Sequence, residues 1–450
     1  MAANVPHGGL AGRYRTLRKE SALVQPRAHL ALTCNSQRSR LIATLISALC
    51  LWLGLAPTTA AQADPAFRAF IETLWPEAQA AKVSRATFDK AFEGVMPDLS
   101  LPDLAIPGRE KAPTKGQAEF TRPPQDYLNK PHLTNLARQA KGLLAQHAAT
   151  LDLIEKKVGV DRLVLLAIWG RETAFGAHKS PYYTVRVLAT RAWLDRRKDM
   201  FRAELIATLR LLEDRILTRE TARSSWAGAM GLTQFMPTEF YSSGLDLDGD
   251  GRLDLFNSIP DALGSAAQQL KQKGWSFGLP WGFEVTPGAR VDCANEGPLN
   301  AKPIGEWVRL GLTRTDGKPF PTAHLQQPAY LMSPGGTYGP QFLVTENFKV
   351  IRAYNTSDLY ALFVGHLADR IGDGGDFRTP WAQIQQLPTR GIEEIQERLK
   401  GRGYQIDKID GKIGSNTRWQ IGLYQRAAKL AVDCWPTDAL LRHLRLPATR

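Results

Sequence analysis

The chain has 450 residues, with 57 Lys+Arg against 44 Asp+Glu and a formal net charge of +13. At roughly 150 residues per domain, this length implies two or three domains. With 43% hydrophobic and 22% charged residues it is neither fibrous nor wholly disordered, and four Cys exclude a disulfide scaffold or a multi-zinc array. The basic excess points to an anionic partner, which nucleic acid, an acidic membrane surface and an anionic polymer all satisfy.

Residues 1–63 read as a secretory signal segment. Leu41–Ala56 is apolar and uncharged, Arg38 and Arg40 precede it, and Ala61, Gln62 and Ala63 form an A-x-A cleavage pattern before Asp64. The competing reading is a transmembrane anchor, which needs about 20 apolar residues, more than this run supplies. The segment carries +6 of the charge and leaves +7 for the mature chain. It also removes Cys34 and Cys50. Cys293 and Cys434 remain, far apart in sequence, and are read as free thiols rather than a bridge.

Asp64–Val95 has helical periodicity in Phe67, Phe70, Ile71 and Leu74, then in Phe88 and Phe92. Pro97–Pro124 is rich in proline and charge and reads as a loop. Leu133–Gly159 suits a helical hairpin. Asp161 is placed to cap a largely buried helix over Arg162–Glu172, with Leu163, Leu165, Leu166, Ile168 and Trp169. Thr190–Arg219 is a long amphipathic stretch, and Asp261–Gly274 and Asn347–Ile371 are helical. Trp281–Tyr338, dense in Gly and Pro, has room for short strands. Residues 378–390 read as a linker, and residues 391–450 as a compact last unit of about three short helices joined by Gly turns.

The segment that carries chemistry is Ala167–Gly176, AIWGRETAFG. It ends an apolar helix on a carboxyl, Glu172, with Trp169 three residues back on the same face. An apolar wall disfavours the charged carboxylate and raises its pKa. A carboxylic acid kept protonated near neutral pH can donate a proton to a leaving oxygen, as the buried acid of lysozyme does. Ser225–Pro237, SWAGAMGLTQFMP, adds small residues that let a ligand approach backbone closely, with Ser225 and Gln234 as hydrogen-bonding side chains of the kind sugar recognition needs. Taken alone, the first segment suits a solvated Glu at a helix end, and the second a tight turn between helices.

These two segments are followed by an Asp-rich loop and by Asn347–Asn355, NFKVIRAYN. In this order they resemble the membrane-bound lytic murein transglycosylase B family, from about Phe67 to Phe377. The resemblance implies a lysozyme-like α+β fold, mostly α, over a catalytic domain of residues 64–377. It implies cleavage of the β-1,4 bond between N-acetylmuramic acid and N-acetylglucosamine, leaving 1,6-anhydromuramyl ends. It also implies Glu172 as the single acid/base, and Ser225, Gln234, Asn347 and Tyr354 as residues that line the cleft and hold the glycan. Such a route uses the substrate's own C6 hydroxyl as nucleophile, so one carboxyl suffices where two-carboxyl glycosidases need a second. No second carboxyl is evident beside the Glu172 segment.

Asp246–Asn257, DLDGDGRLDLFN, follows D-x-D-x-D-G through six positions, with Gly251 at the turn. The spacing suits calcium, with Asp246, Asp248 and Asp250 as ligands, the carbonyl of Arg252, and Asp254. Position twelve is Asn257, where a standard calcium loop has a bidentate Glu, so Asp261 is the candidate for that role. The alternative is a metal-free Asp/Gly turn. Any metal here is structural Ca²⁺; catalysis needs no cofactor. The last unit, with Gln396, Asp410, Gly411, Gly414, Thr417 and Tyr424, resembles the peptidoglycan-binding domain type 1, although a plain three-helix bundle has the same spacing.

The expected partner is therefore the glycan strand of peptidoglycan in the periplasm. No nucleic acid is expected, because no zinc-finger spacing or RNA-binding motif occurs. No membrane span is expected in the mature chain, which is read as a monomer, with wall-remodelling proteins as the open class of protein partner. Two competing readings remain, a hydrolytic muramidase and a non-catalytic wall-binding scaffold.

Overall fold

In a computed structural model the described residues are 65–108, 119 and 122–447. The signal segment, with Cys34 and Cys50, lies outside them. Among the described residues no helix is long and apolar enough to cross a membrane.

The first three helices among the described residues, Pro65–Glu72, Trp75–Ala80 and Arg85–Phe92, are short and one-sided. Their apolar stripe, Phe67, Ile71, Leu74, Ala78 and Phe88, buries against Val185, Leu188, Phe201 and Leu205 of the helices Thr184–Leu194 and Lys198–Glu213. The amphipathic stretch 190–219 thus contains a break that periodicity does not show. Arg191, fully buried, donates to Asp195 Oδ2 at 2.5 Å, and Asp195 Oδ1 accepts the Arg197 amide at 2.9 Å. A carboxylate that captures its own downstream backbone turns the chain there.

The central helix, Arg162–Thr173, has eight buried residues spread around its whole circumference. It packs with Lys130–Gln146, Ala148–Lys157, Ile259–Gln272 and Asp358–Ile371 in the largest core. Asp161 stands at its N-cap position but makes no side-chain cap. Its carboxylate instead accepts the indole N–H of Trp275 at 2.8 Å.

The Gly- and Pro-rich region yields most of an antiparallel sheet. Its strands, β3 (Gly282–Thr286), β4 (Lys302–Pro303), β5 (Thr313–Arg314), β6 (Pro328–Met332) and β7 (Gln341–Thr345), lie in the order β4-β6-β7-β3-β5. Alternate residues separate the two faces. Tyr330, Met332, Phe342 and Val344 join the helical core, while Ala329, Leu331 and Leu343 cover Ile304, Trp307 and Leu312. A two-stranded pair, β1 (Tyr182–Tyr183) and β2 (Arg223–Ser224), stands apart from it.

The last unit has three helices, Thr389–Gly401, Ser415–Ala427 and Asp438–Arg445, around Ile395, Leu399, Ile421, Leu440 and Leu444. It is clamped to the sheet region. Arg418, 2% exposed, donates to Glu296 at 2.5 Å and to Asp358 at 3.3 Å. Arg426 pairs with Asp292 at 2.7 Å, and the Tyr338 hydroxyl donates to Asp433 at 2.8 Å. Cys293 and Cys434 form a disulfide, which corrects the free-thiol expectation. Sequence separation hid the pairing, and docking brings it about. The helix Ser415–Ala427 presents Gly422 to the junction, where a Cβ would meet Cys434 Sγ at 2.6 Å and Ala294 Cβ at 2.8 Å. Only a glycine lets the chains approach this closely. The preceding segment is also anchored: Trp381 lies against Gly335 and Gly339, and the Ala382 amide donates to the Tyr338 carbonyl at 2.8 Å.

Candidate active site

Glu172 occupies the last turn of the central helix and is half-buried. Ala174, Phe175 and Gly176, all at positive φ, then reverse the chain. Phe175 folds back over Gly170, where a Cβ would lie 2.6 Å from its ring, and meets Trp169 edge-on at 5.5 Å. The turn is fastened by Thr173, whose hydroxyl donates to the Leu232 carbonyl at 2.7 Å and accepts the Gly176 amide at 3.1 Å. The two glycine-bearing segments of the sequence are thereby one structure, and the end of the helix cannot fray.

The Glu172 carboxyl receives its strongest contact from a residue the sequence did not single out. The Tyr360 hydroxyl donates to Oε1 at 2.5 Å. Tyr360 lies in the first turn of the helix Asp358–Ile371 and is 1% exposed. Burial and the neighbouring Glu172 raise its pKa, so it stays an O–H donor. Tyr354 stacks on it at 6.5 Å with ring planes 8° apart, and its own hydroxyl donates to the Thr233 carbonyl at 2.6 Å. Arg171 is enclosed by Tyr127, Tyr360 and Phe363 and donates to the Tyr127 hydroxyl at 2.8 Å. Burial is the main cause of a raised pKa at Glu172; the Tyr360 bond and the Arg171 charge pull it back, and the charge of Glu119 adds to the rise. Glu119, 8% exposed, accepts from Asn355 at 3.4 Å. It is a second carboxyl in the field of Glu172, and sequence reading missed it because it sits in the Pro- and charge-rich loop.

Of the other expected cleft residues, Tyr354 joins Glu172 through Tyr360. Gln234 adopts φ 57° and directs its amide to the Gly231 carbonyl at 3.0 Å and to Ser180 at 3.4 Å. The Ser225 hydroxyl accepts the Ala229 amide at 3.2 Å and holds the glycine turn. Asn347 is fully buried and spends its amide on backbone, with Ser276 N, Ser276 O and Leu279 O at 2.9, 2.8 and 2.6 Å. It fixes the loop ahead of β3 rather than facing a ligand.

In the Asp-rich loop, oxygens of Asp246, Asp248 and Asp261 converge within 4.8 Å of one another. Asp261 is fully buried and accepts the Leu247 and Asp254 amides at 2.9 and 3.0 Å. Asp250 and Asp254 lie outside this trio. They accept loop amides instead, from Arg252 at 2.8 Å and from Phe256 at 2.9 Å. Arg252 follows Gly251, which takes the positive φ the turn requires.

A mostly helical body that holds one carboxyl in a buried tyrosine pocket, with a small helical unit clamped beside it, defines a lysozyme-like enzyme domain with an accessory module. The sequence model of the transglycosylase SLT domain matches residues 66–369, and that of the peptidoglycan binding domain matches residues 389–444. The chain belongs to the transglycosylase SLT family, whose characterised relatives are lytic transglycosylases, peptidoglycan-degrading lyases.

It is 29% identical over 227 residues to membrane-bound lytic murein transglycosylase B of Escherichia coli (strain K12), a match covering 50% of this chain and 61% of that relative. Among solved structures, SltB3 from Pseudomonas aeruginosa in complex with NAG-anhNAM-pentapeptide superposes with a TM-score of 0.76 at 38% identity, covering 86% of this chain and 100% of that one. SltB1 from Pseudomonas aeruginosa gives a TM-score of 0.56 at 26% identity, covering 68% of this chain and 98% of that one.

Proposed function

We propose that the chain is a periplasmic lytic transglycosylase that cleaves the β-1,4 bond between N-acetylmuramic acid and N-acetylglucosamine and leaves 1,6-anhydromuramyl ends. The observation that carries this reading is the Glu172 carboxyl. Burial raises its pKa, and the Tyr360 donor occupies Oε1, so the acid proton belongs on Oε2. In the proposed sequence Glu172 first protonates the leaving oxygen. The resulting carboxylate is held by the Tyr360 hydroxyl and by Arg171, and it then accepts the proton of the muramyl C6 hydroxyl as that oxygen attacks C1. The attack is intramolecular, which in ideal cases removes about 7–11 kcal/mol of barrier. Ser225, Gln234 and Tyr354 shape the glycan-facing wall, and Asn347 positions the loop beneath it. Lytic transglycosylases need no cofactor for catalysis. The complex of SltB3 with an anhydromuramyl ligand supports the assignment of product.

The same proposal assigns residues 1–63 to a signal cleaved near Ala63, residues 64–377 to catalysis and residues 378–390 to a linker. It assigns residues 391–450 to wall binding, which raises the local concentration of glycan at the cleft. Asp246, Asp248 and Asp261 form a candidate structural Ca²⁺ site, with the other loop oxygens of Asp250, Arg252 and Asp254 around it.

Glu119 favours one second reading, in which it activates water and the enzyme is a muramidase. Mass spectrometry of muropeptides released by the purified mature chain separates the two. The transglycosylase gives ends lighter by one water; reducing muramic ends would overturn it.

A further inference from the structure

We propose that Arg418, on the last unit, is a positioning residue for the Glu172 carboxyl: it fixes Asp358, and through Asp358 the tyrosine that holds Glu172. This inference rests on the role given to Glu172 above. It makes the last unit part of the framework of the active site as well as a wall-binding module.

The chain of contacts is short. Asp358 is the first residue of the helix Asp358–Ile371 and Tyr360 the third. Ser357 caps this turn, its hydroxyl accepting the Tyr360 amide at 3.3 Å. Two guanidiniums from different elements hold the Asp358 carboxylate. Oδ1 accepts from Arg352 at 2.7 Å and Oδ2 from Arg418 at 3.3 Å. Arg352 ends the helix Glu346–Arg352 and is exposed, so water screens its pull on Asp358. Arg418 is buried and is itself pinned. Glu296 accepts from its Nε at 3.1 Å and from its Nη2 at 2.5 Å, and the Ile413 carbonyl accepts from its Nη1 at 2.8 Å. A planar fork anchored at three points is a rigid reference for the carboxylate it touches. Docking alone does not require the contact with Asp358. The Cys293–Cys434 disulfide, Arg426 on Asp292 and Tyr338 on Asp433 already fasten the unit.

The Arg352–Asp358 pair also closes the base of the turn 353–357. Tyr354 stands on that turn and Tyr360 on the helix that follows it, and their rings stack at 6.5 Å. Both rings therefore depend on where the Asp358 carboxylate sits. The Tyr360 hydroxyl meets Glu172 Oε1 at 2.5 Å, and such a bond weakens steeply as its distance and angle depart from the optimum. A displacement at the first residue of a helix reaches the third almost undiminished, because both lie in one turn.

The test uses two variants. Arg418→Lys keeps the charge and loses the fork, and Asp358→Asn leaves the Arg418–Glu296 pair in place. The substrate is a soluble, uncrosslinked peptidoglycan oligosaccharide, so anchoring to the sacculus plays no part. In each variant kcat falls by about tenfold at unchanged KM. The alkaline limb of the pH–rate profile moves to higher pH, as weakening of the Tyr360 donor requires. The charged and titratable groups around Glu172, namely Arg171, Glu119, Tyr127, Tyr354 and Tyr360, are the same in both variants. In a Tyr360→Phe background neither substitution lowers kcat further, which separates coupled effects from independent ones. A raised KM at wild-type kcat, an unmoved alkaline limb, or losses that multiply with that of Tyr360→Phe would overturn the proposal. Thermal melts verify folding, and if Arg418→Lys does not fold, Asp358→Asn decides alone. Products judge the transglycosylase reading separately. Reducing muramic ends remove that reading, and the same cycle on the hydrolytic rate still decides the coupling. With no turnover at all, the excess melting temperature of Glu172→Gln over its parent at neutral pH reports the coupling instead. It grows in the Arg418→Lys background, and an unchanged excess overturns the proposal.

Discussion

Tyr360→Phe isolates the contact that distinguishes Glu172 from an ordinary buried acid. The substitution deletes one oxygen and keeps the ring, so the stack on Tyr354 and the packing around Arg171 remain. What is lost is a donor 2.5 Å from Glu172 Oε1, and that bond favours the carboxylate. A hydrogen bond to a charged group contributes about 1.5–3 kcal/mol. Carboxylate character develops as Glu172 gives up its proton, so the loss falls on the transition state, and kcat drops by about 10- to 150-fold. The same loss leaves the neutral acid the more stable form. The alkaline limb of the pH–rate profile, where the acid form disappears, therefore moves to higher pH. The assay is release of soluble muropeptides from sacculi across pH, with a thermal melt to verify folding. A drop of less than about threefold, within the range of one neutral hydrogen bond, together with an unmoved alkaline limb, would refute the reasoning.

Glu172→Gln abolishes release of muropeptides and leaves sacculus binding intact; residual turnover at wild-type rate would reassign the acid. The variant also melts higher than the wild type at neutral pH. The folded-state pKa of Glu172 lies above its ordinary 4.5, so the folded chain holds a proton the unfolded chain has lost, and stability falls as pH rises through that window. The difference closes below 4.5, and calorimetric melts against pH check both the sign and the window. For the disulfide, a separation of 141 residues corresponds to about 5 kcal/mol of chain entropy. Cys434→Ser and reduced wild type therefore lose stability together, and equal melts with and without reductant would show that the clamp rests on the polar contacts of Arg418, Arg426 and Tyr338. For the Asp loop, Ca²⁺ at a hundred times its Kd adds about 2.7 kcal/mol. The melting temperature then rises by several degrees over chelator and the gain vanishes in Asp261→Asn; identical melts in Ca²⁺ and chelator would exclude the site.

Local order was legible in the sequence. The central helix with Glu172 at its end follows from apolar spacing between Arg162 and Glu172, and the Asp-rich turn follows from where Gly must accept a positive φ. The three helices of the last unit follow from periodicity in the same way. These features depend on interactions between near neighbours, and the chain writes them directly.

The chemistry around Glu172 is of another kind. Tyr360 lies 188 residues away, on a helix buried on almost every side, and nothing local separates its hydroxyl from the surrounding core residues. Glu119 stands in a loop without periodicity. Arg418 reaches Glu296 across 122 residues, and the two cysteines meet across 141. The sequence by itself singled out the Glu172 carboxyl and the helix that carries it. Which groups set its protonation, and that the last unit is clamped rather than tethered, was decided by tertiary packing. Those contacts form only when several cores close at once, and no short window of sequence records that closure.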